Sequence, residues 1–154
     1  MLQENPGITY NTNVPTPTLV LDTNVLVAAL RSRSGASFQI VSMIGLGRFR
    51  MVLSVPLVLE YEQALFAARP AGVSRREIEA FVDYLCAAGE YQEIFYLWRP
   101  ALRDPKDDLV LEVAVAGECG IIVTHNVKDF TGATHFGIRI LTPAQFLPRV
   151  KGAK

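Results

Sequence analysis

Short apolar runs alternate with longer segments of helical period along most of this chain. "TLVLD" (18–22) is brief, apolar and rich in β-formers, which predicts a buried strand. "NVLVAALRSRS" (24–34) follows as a helix that runs out at Ser34-Gly35. In "ASFQIVSMIGL" (36–46), Phe38, Val41 and Ile44 recur at helical spacing, and Gly45 and Gly47 mark the end. "FRMVLS" (49–54) reads as a second strand. Ser54 then supplies an N-cap, with Pro56 in the first turn of a helix reaching about Ala68. Ser74 opens another helix, in which Ile78, Phe81, Val82 and Leu85 share one face before Gly89 stops it. "QEIFYLW" (92–98) reads as a strand, and Asp104-Pro105 starts a helix over 105–118. "IIVT" (121–124) and "IRIL" (138–141) are short strands, and "TPAQFLPRV" (142–150) is a closing helix.

Strands alternating with helices, several of them continuously apolar, imply an α/β fold: a mostly parallel sheet covered by helices on both faces. In such sheets ligands bind beyond the carboxyl ends of the strands. Asp22 ends the first strand, so the rule bears directly on it.

Composition narrows the picture. The 154 residues are 50% hydrophobic and 19% charged, a globular balance. Fifteen basic and fifteen acidic residues cancel, so no broad attraction to nucleic acid is expected. Residues 1–17 hold one charge, Glu4, with Pro6, Pro15 and Pro17, and read as an extended or disordered tail before a single domain over 18–150. They lack the basic and apolar regions of a secretory signal, and no apolar stretch is long enough for a bilayer, so a cytoplasmic location without membrane contact is expected. Cys86 and Cys119 fall in apolar surroundings and read as reduced core thiols. His125 and His135 have no paired thiol or histidine beside them, so a standard zinc site is not expected.

The carboxylates carry the candidate chemistry. Asp22 reads equally well as a helix cap or as a ligand. Glu60 shares a mainly apolar helix face with Leu57 and Ala64, where a glutamate needs a partner, a metal or a raised pKa. In "RDPKDDL" (103–109) capping explains Asp104, whereas Asp107 heads the stripe Val110, Leu111 and Ala114; Asp108 heads a less apolar row. "IIVTHNVKDF" (121–130) ends a strand in Thr124, His125 and Asn126, then Asp129. Separate strand ends and helix starts thus offer carboxylates or amides to one sheet edge. Like charges so placed repel unless a divalent cation lies among them, and all-oxygen ligands select Mg²⁺ or Mn²⁺.

The runs "LVLDTNVLVAAL", "PLVLEYEQAL", "RDPKDDLVLEVAVAGECGIIVTHNVKDF" and "ILTPAQFL" resemble a PIN domain over roughly residues 18–148. The likeness is greatest to PIN proteins that are toxin components of bacterial toxin–antitoxin pairs (VapC-like). It implies a three-layer α/β/α fold and a Mg²⁺- or Mn²⁺-dependent ribonuclease, dimeric and inhibited by a small antitoxin protein. Under the resemblance, Asp22, Glu60 and Asp107 match the metal carboxylates, with a one-residue ambiguity toward Asp108. Thr23, Asn24 and Thr124 match residues that orient a ligand or water around the ion. Asn126 stands where many relatives have a fourth aspartate, a departure that bears on a second metal.

In such a site a metal-bound water is the nucleophile and no side chain need be. Arg31 and Arg33 after the first helix, and Arg48 and Arg50 by the second strand, are the candidate RNA contacts. Phe66, Phe81, Tyr84 and Leu85 on the helices over 55–68 and 74–88 suggest a homodimer or partner surface. A haloacid-dehalogenase-type phosphatase would need a carboxylate where this chain has Asn24, and a response-regulator receiver fits no better. The alternative of a different class is a catalytically weak PIN scaffold acting by protein or RNA binding.

Overall fold

The computed structural model describes residues 16–94, 102 and 104–151. Five strands form one sheet: β1 (Thr18–Leu21), β2 (Arg50–Leu53), β3 (Glu90–Tyr91), β4 (Ile121–Val123) and β5 (Arg139–Leu141). Their order is β3-β2-β1-β4-β5, and every pairing is parallel. Between them run α1 (Thr23–Arg31), α2 (Ala36–Ser42), α3 (Val55–Ala67), α4 (Arg75–Ala88) and α5 (Pro105–Ala116), with α6 (Pro143–Val150) closing the fold. A 3-10 segment, Val127–Phe136, joins β4 to β5.

Parallel pairing dictates the rest. From β1 the chain steps outward to β2 and β3, then returns past β1 to β4 and β5 on its other side. Right-handed crossovers therefore put α1 to α4 on one face and α5 with the 3-10 segment on the other. The contacts agree: α1 packs on α2 and α3, α3 on α4, and α5 on β1, β4 and the 3-10 segment. The direction of winding reverses between β1 and β4, which opens a crevice at their carboxyl ends. The central strands are apolar throughout because both faces are covered; Leu19, Val20, Leu21, Ile122 and Val123 have no solvent exposure.

Local signals set most boundaries. Ser74 and Glu77 form a reciprocal capping box on α4, as Thr142 and Gln145 do on α6. Gly89 ends α4 against the sheet, where a Cβ would lie 2.5 Å from Leu53 Cδ1. The helix expected over 36–46 stops at Ser42, and Gly45 and Gly47, both in the left-handed region, carry the turn. The strand expected over 92–98 lies instead at Glu90–Tyr91, and positions 95–98 are outside the described residues. Both residues of β3 are exposed, so this edge strand has no apolar alternation to read. The 3-10 segment has neither a helical stripe nor a capping pattern in its sequence.

Among the described residues no helix is long and apolar enough to cross a membrane. Cys119 is buried, as expected, but Cys86 is exposed. It lines an apolar pocket of about 150 Å³ with Leu53, Val55, Val58, Leu59 and Tyr91. Much of the apolar surface expected to seek a partner is used within the chain. Leu85 is buried, the Tyr84 hydroxyl donates to the Ile44 carbonyl, and the Arg75 guanidinium lies 4.5 Å above the Phe66 ring. Val55, Leu59 and Tyr91 remain exposed, as does Tyr84 apart from its hydroxyl contact.

Candidate functional site

The crevice between β1 and β4 holds Asp22 and Thr124, each the first residue past its strand. Asp22 occupies the N-cap position of α1, yet its side chain makes no capping hydrogen bond. The carboxylate turns instead to β4, where Thr124 Oγ1 donates to Asp22 Oδ2 at 2.7 Å. The backbone joins at the same place, Asp22 N–H donating to the Val123 carbonyl at 2.9 Å. Asp22 is only 7% exposed. Burial pushes its pKa up, and Asp129 pushes the same way; the Thr124 hydroxyl, the Thr23 N–H and His125 pull it back. A side chain in this setting does more than cap a helix.

Around Thr124 the polar groups form a connected set. Its hydroxyl accepts from the Asn126 N–H at 3.0 Å and from Asn24 Nδ2 at 3.4 Å. Asn24 Oδ1 in turn accepts from the His125 N–H at 3.2 Å. Nε2 of the His125 ring lies 2.8 Å from Ser37 Oγ, on α2. Beneath the crevice the buried Tyr61 hydroxyl donates to the Leu21 carbonyl, tying α3 to the end of β1.

The other carboxylates divide. Asp104 caps α5, accepting from the Lys106 N–H at 3.0 Å. Asp107, half-buried in the first turn, has its pKa pushed up to about 7, first by burial and then by the charge of Asp22, with Asp104, Asp129 and Asp108 adding to it. Asp108, 1% exposed, accepts from the Leu102 N–H at 2.9 Å. The two neighbours thus take different roles: Asp107 meets the field of Asp22, while Asp108 holds the chain entering α5.

Asp129 was not among the ligands read from the sequence. It nonetheless acts electrostatically on both Asp22 and Asp107. Asp129 lies in the 3-10 segment after β4, its N–H donating to the Asn126 carbonyl at 3.0 Å. Asn126 serves through its backbone, capping this turn without a side-chain bond.

Glu60, its side chain 13% exposed, faces the start of α5, where Lys106 Nζ lies 3.9 Å from Oε1. It is not among the charges that shift Asp22 or Asp107. Arg31 and Arg33 are exposed at the far end of α1, about 13 Å along a nine-residue helix from Asp22. Arg50 begins β2 at the opposite end of the sheet, paired with Glu90 at 2.9 Å, and Arg48 Nη1 donates to the Val150 carbonyl at 3.3 Å. These arginines do not meet the carboxylates.

A family model described as PIN domain matches residues 18–128, from the first residue of β1 into the turn that carries Asp129. The chain belongs to the PIN domain family. No curated protein matches it by sequence. Two solved structures share the fold of this PIN domain. One is the crystal structure of VapBC2 from Rickettsia felis bound to a DNA fragment from their promoter: TM-score 0.59, 13% identity, covering 81% of this chain and 98% of the other. The other is VapBC-1 from nontypeable Haemophilus influenzae: TM-score 0.59, 18% identity, covering 82% and 98%. At such identities the likeness speaks of fold alone.

The donor set of this PIN domain suits a hard divalent cation: carboxylates only, at a crevice where burial and the charge of Asp22 hold the proton on Asp107. That repulsion is what a cation relieves. Among the described residues, no three His, Cys, Asp or Glu side chains are gathered around one point as they stand.

Proposed function

We infer that this PIN domain is a metal-dependent ribonuclease and the toxin of a toxin–antitoxin pair. The buried Asp22 carboxylate at the switch point of the sheet, whose charge helps to push the Asp107 pKa up, carries the reading. Asp22 and Asp107 would hold Mg²⁺ or Mn²⁺, with Asp129 adding negative charge and Glu60 the further carboxylate at the mouth. When bound, such an ion supplies a water of lowered pKa and offsets charge on a phosphate. Thr124 fixes one oxygen of Asp22, and Asn24 holds Thr124 and the following loop together. Tyr61 secures the strand end from below.

The toxin assignment and a small antitoxin partner are supported by family membership and by the VapBC assemblies that share the fold. The exposed Val55, Leu59 and Tyr91 offer a surface for self-association or a partner chain. A second reading, a PIN scaffold that binds without cutting, draws on one observation: Glu60 is paired with Lys106 and not gathered with Asp22. Purified protein incubated with single-stranded RNA, duplex RNA and duplex DNA, in Mn²⁺ or in chelator, separates the two. The nuclease cuts single-stranded RNA in Mn²⁺ alone. Cleavage that survives chelation rejects the metal mechanism, and no cleavage by wild type in Mn²⁺ favours the scaffold.

A further inference from the structure

The geometry points to His125 as an RNA-backbone contact at the lip of the carboxylate crevice, its ring set for that purpose by Ser37. The inference rests on the nuclease reading, because it supplies the phosphodiester that His125 would meet. Four observations converge on this residue. It follows Thr124 directly, so it leaves the sheet at the strand end that faces Asp22. Its charge acts on Asp22, which places the ring within reach of the same crevice. Its backbone N–H is held by Asn24, and its ring Nε2 by a serine that is only 3% exposed. The residue itself remains exposed.

A side chain that merely decorates a loop would not be anchored at both backbone and ring. Ser37 Oγ has no other hydrogen-bond partner among the described residues. In a neutral imidazole one nitrogen accepts while the other donates. With Nε2 turned to the Ser37 hydroxyl, Nδ1 is the ring nitrogen left without a partner among the described residues. It carries a proton both in the charged ring and in the neutral tautomer that accepts from Ser37. An N–H so fixed beside a phosphate-processing crevice is a donor for a non-bridging phosphate oxygen next to the bond being cut. Such contacts position a nucleic acid without reading its sequence. The arginines picked from the sequence stand at the far end of α1 or the far end of the sheet, whereas His125 directly follows the residue that bonds Asp22.

Replacement chemistry separates the contact from a bracing role. The amide nitrogen of asparagine reaches about where Nδ1 stands, whereas that of glutamine reaches about where Nε2 stands. His125→Asn therefore keeps a donor toward RNA and gives up Ser37; His125→Gln does the reverse. The probe is a fluorescein-labelled, mixed-sequence single-stranded RNA. Its binding is followed by polarisation in Ca²⁺ and its cleavage in Mn²⁺, with melting temperature recorded for every variant.

His125→Ala and His125→Gln are expected to weaken binding and raise KM by about tenfold, with kcat changed less than about twofold, the signature of a lost binding contact. His125→Asn should recover most of the loss, and Ser37→Ala should show an intermediate rise in KM. If Gln rescues and Asn does not, or if His125→Ala binds RNA as wild type does, the contact is overturned. Wild type that binds through His125 but never cuts would defeat the nuclease reading and leave the contact standing. Wild type that cuts, with His125→Ala unchanged, would do the opposite. Wild type that neither binds nor cuts the RNA defeats both.

Discussion

Thr124 Oγ1 donates to Asp22 Oδ2 at 2.7 Å across the ends of two adjacent parallel strands. Neither residue explains the other's position from local sequence, since 102 positions separate them. The bond keeps a buried carboxylate tolerable, and it does so at the point where the sheet reverses its winding.

Thr124→Val keeps the shape and removes the hydroxyl. Asp22 then loses its donor, and the Asn126 N–H loses its acceptor. The variant should be less stable by roughly 1–3 kcal/mol at neutral pH, as for other buried polar groups left unpaired. Urea unfolding at pH 7 measures this. The loss should shrink at low pH, where the Asp22 carboxyl carries its own proton and needs the donor less.

Asp107 gives the metal-free protein a pH dependence of defined sign. Its folded pKa is raised from 3.8 to about 7, so the folded state binds more protons than the unfolded one between those values. Stability should therefore fall as pH rises from about 4 to about 7, and level off above. The group is partly exposed, which keeps the effect modest. Melting curves across this range should show the slope in wild type and a shallower one in Asp107→Asn, where Asp22, whose pKa is also raised, still contributes. Divalent-cation binding should strengthen over the same interval, because the ion competes with the proton held there.

Tyr61→Phe tests the support beneath the crevice. Removing the hydroxyl leaves the Leu21 carbonyl unpaired in a fully buried setting. A loss of roughly 1–3 kcal/mol is expected, with the fold retained. Hydrogen exchange at the end of β1 should accelerate more than at β5.

Much of this was legible because apolar runs and caps are local signals. The strands at 18–22 and 121–124, and the helix opening at Ser74, needed nothing beyond their own sequence. Asp22 drew notice as a charge ending an apolar strand, and Asp107 as the head of an apolar stripe. The difference in surroundings between Asp107 and Asp108 was not legible, because it comes from the Leu102 N–H that donates to Asp108. Asp129 stayed hidden for a different reason. Its approach depends on a 3-10 turn with a kink at Phe130, and no periodic pattern marks such a segment. The Ser37–His125 contact joins positions 88 apart and has no sequence signature at all.

Asp22→Asn, melted with and without Mn²⁺, tests the central claim most directly. At free Mn²⁺ roughly ten times Kd, binding to the native state contributes about 1.4 kcal/mol. For a chain of this size that raises Tm by roughly 3–5 °C. Wild type should show the rise and cut RNA. Asp22→Asn, relieved of a buried charge, should be at least as stable without metal, gain little from Mn²⁺ and fail to cut. An Asp22→Asn protein that still gains the same stability from Mn²⁺ and still cleaves RNA would contradict the account.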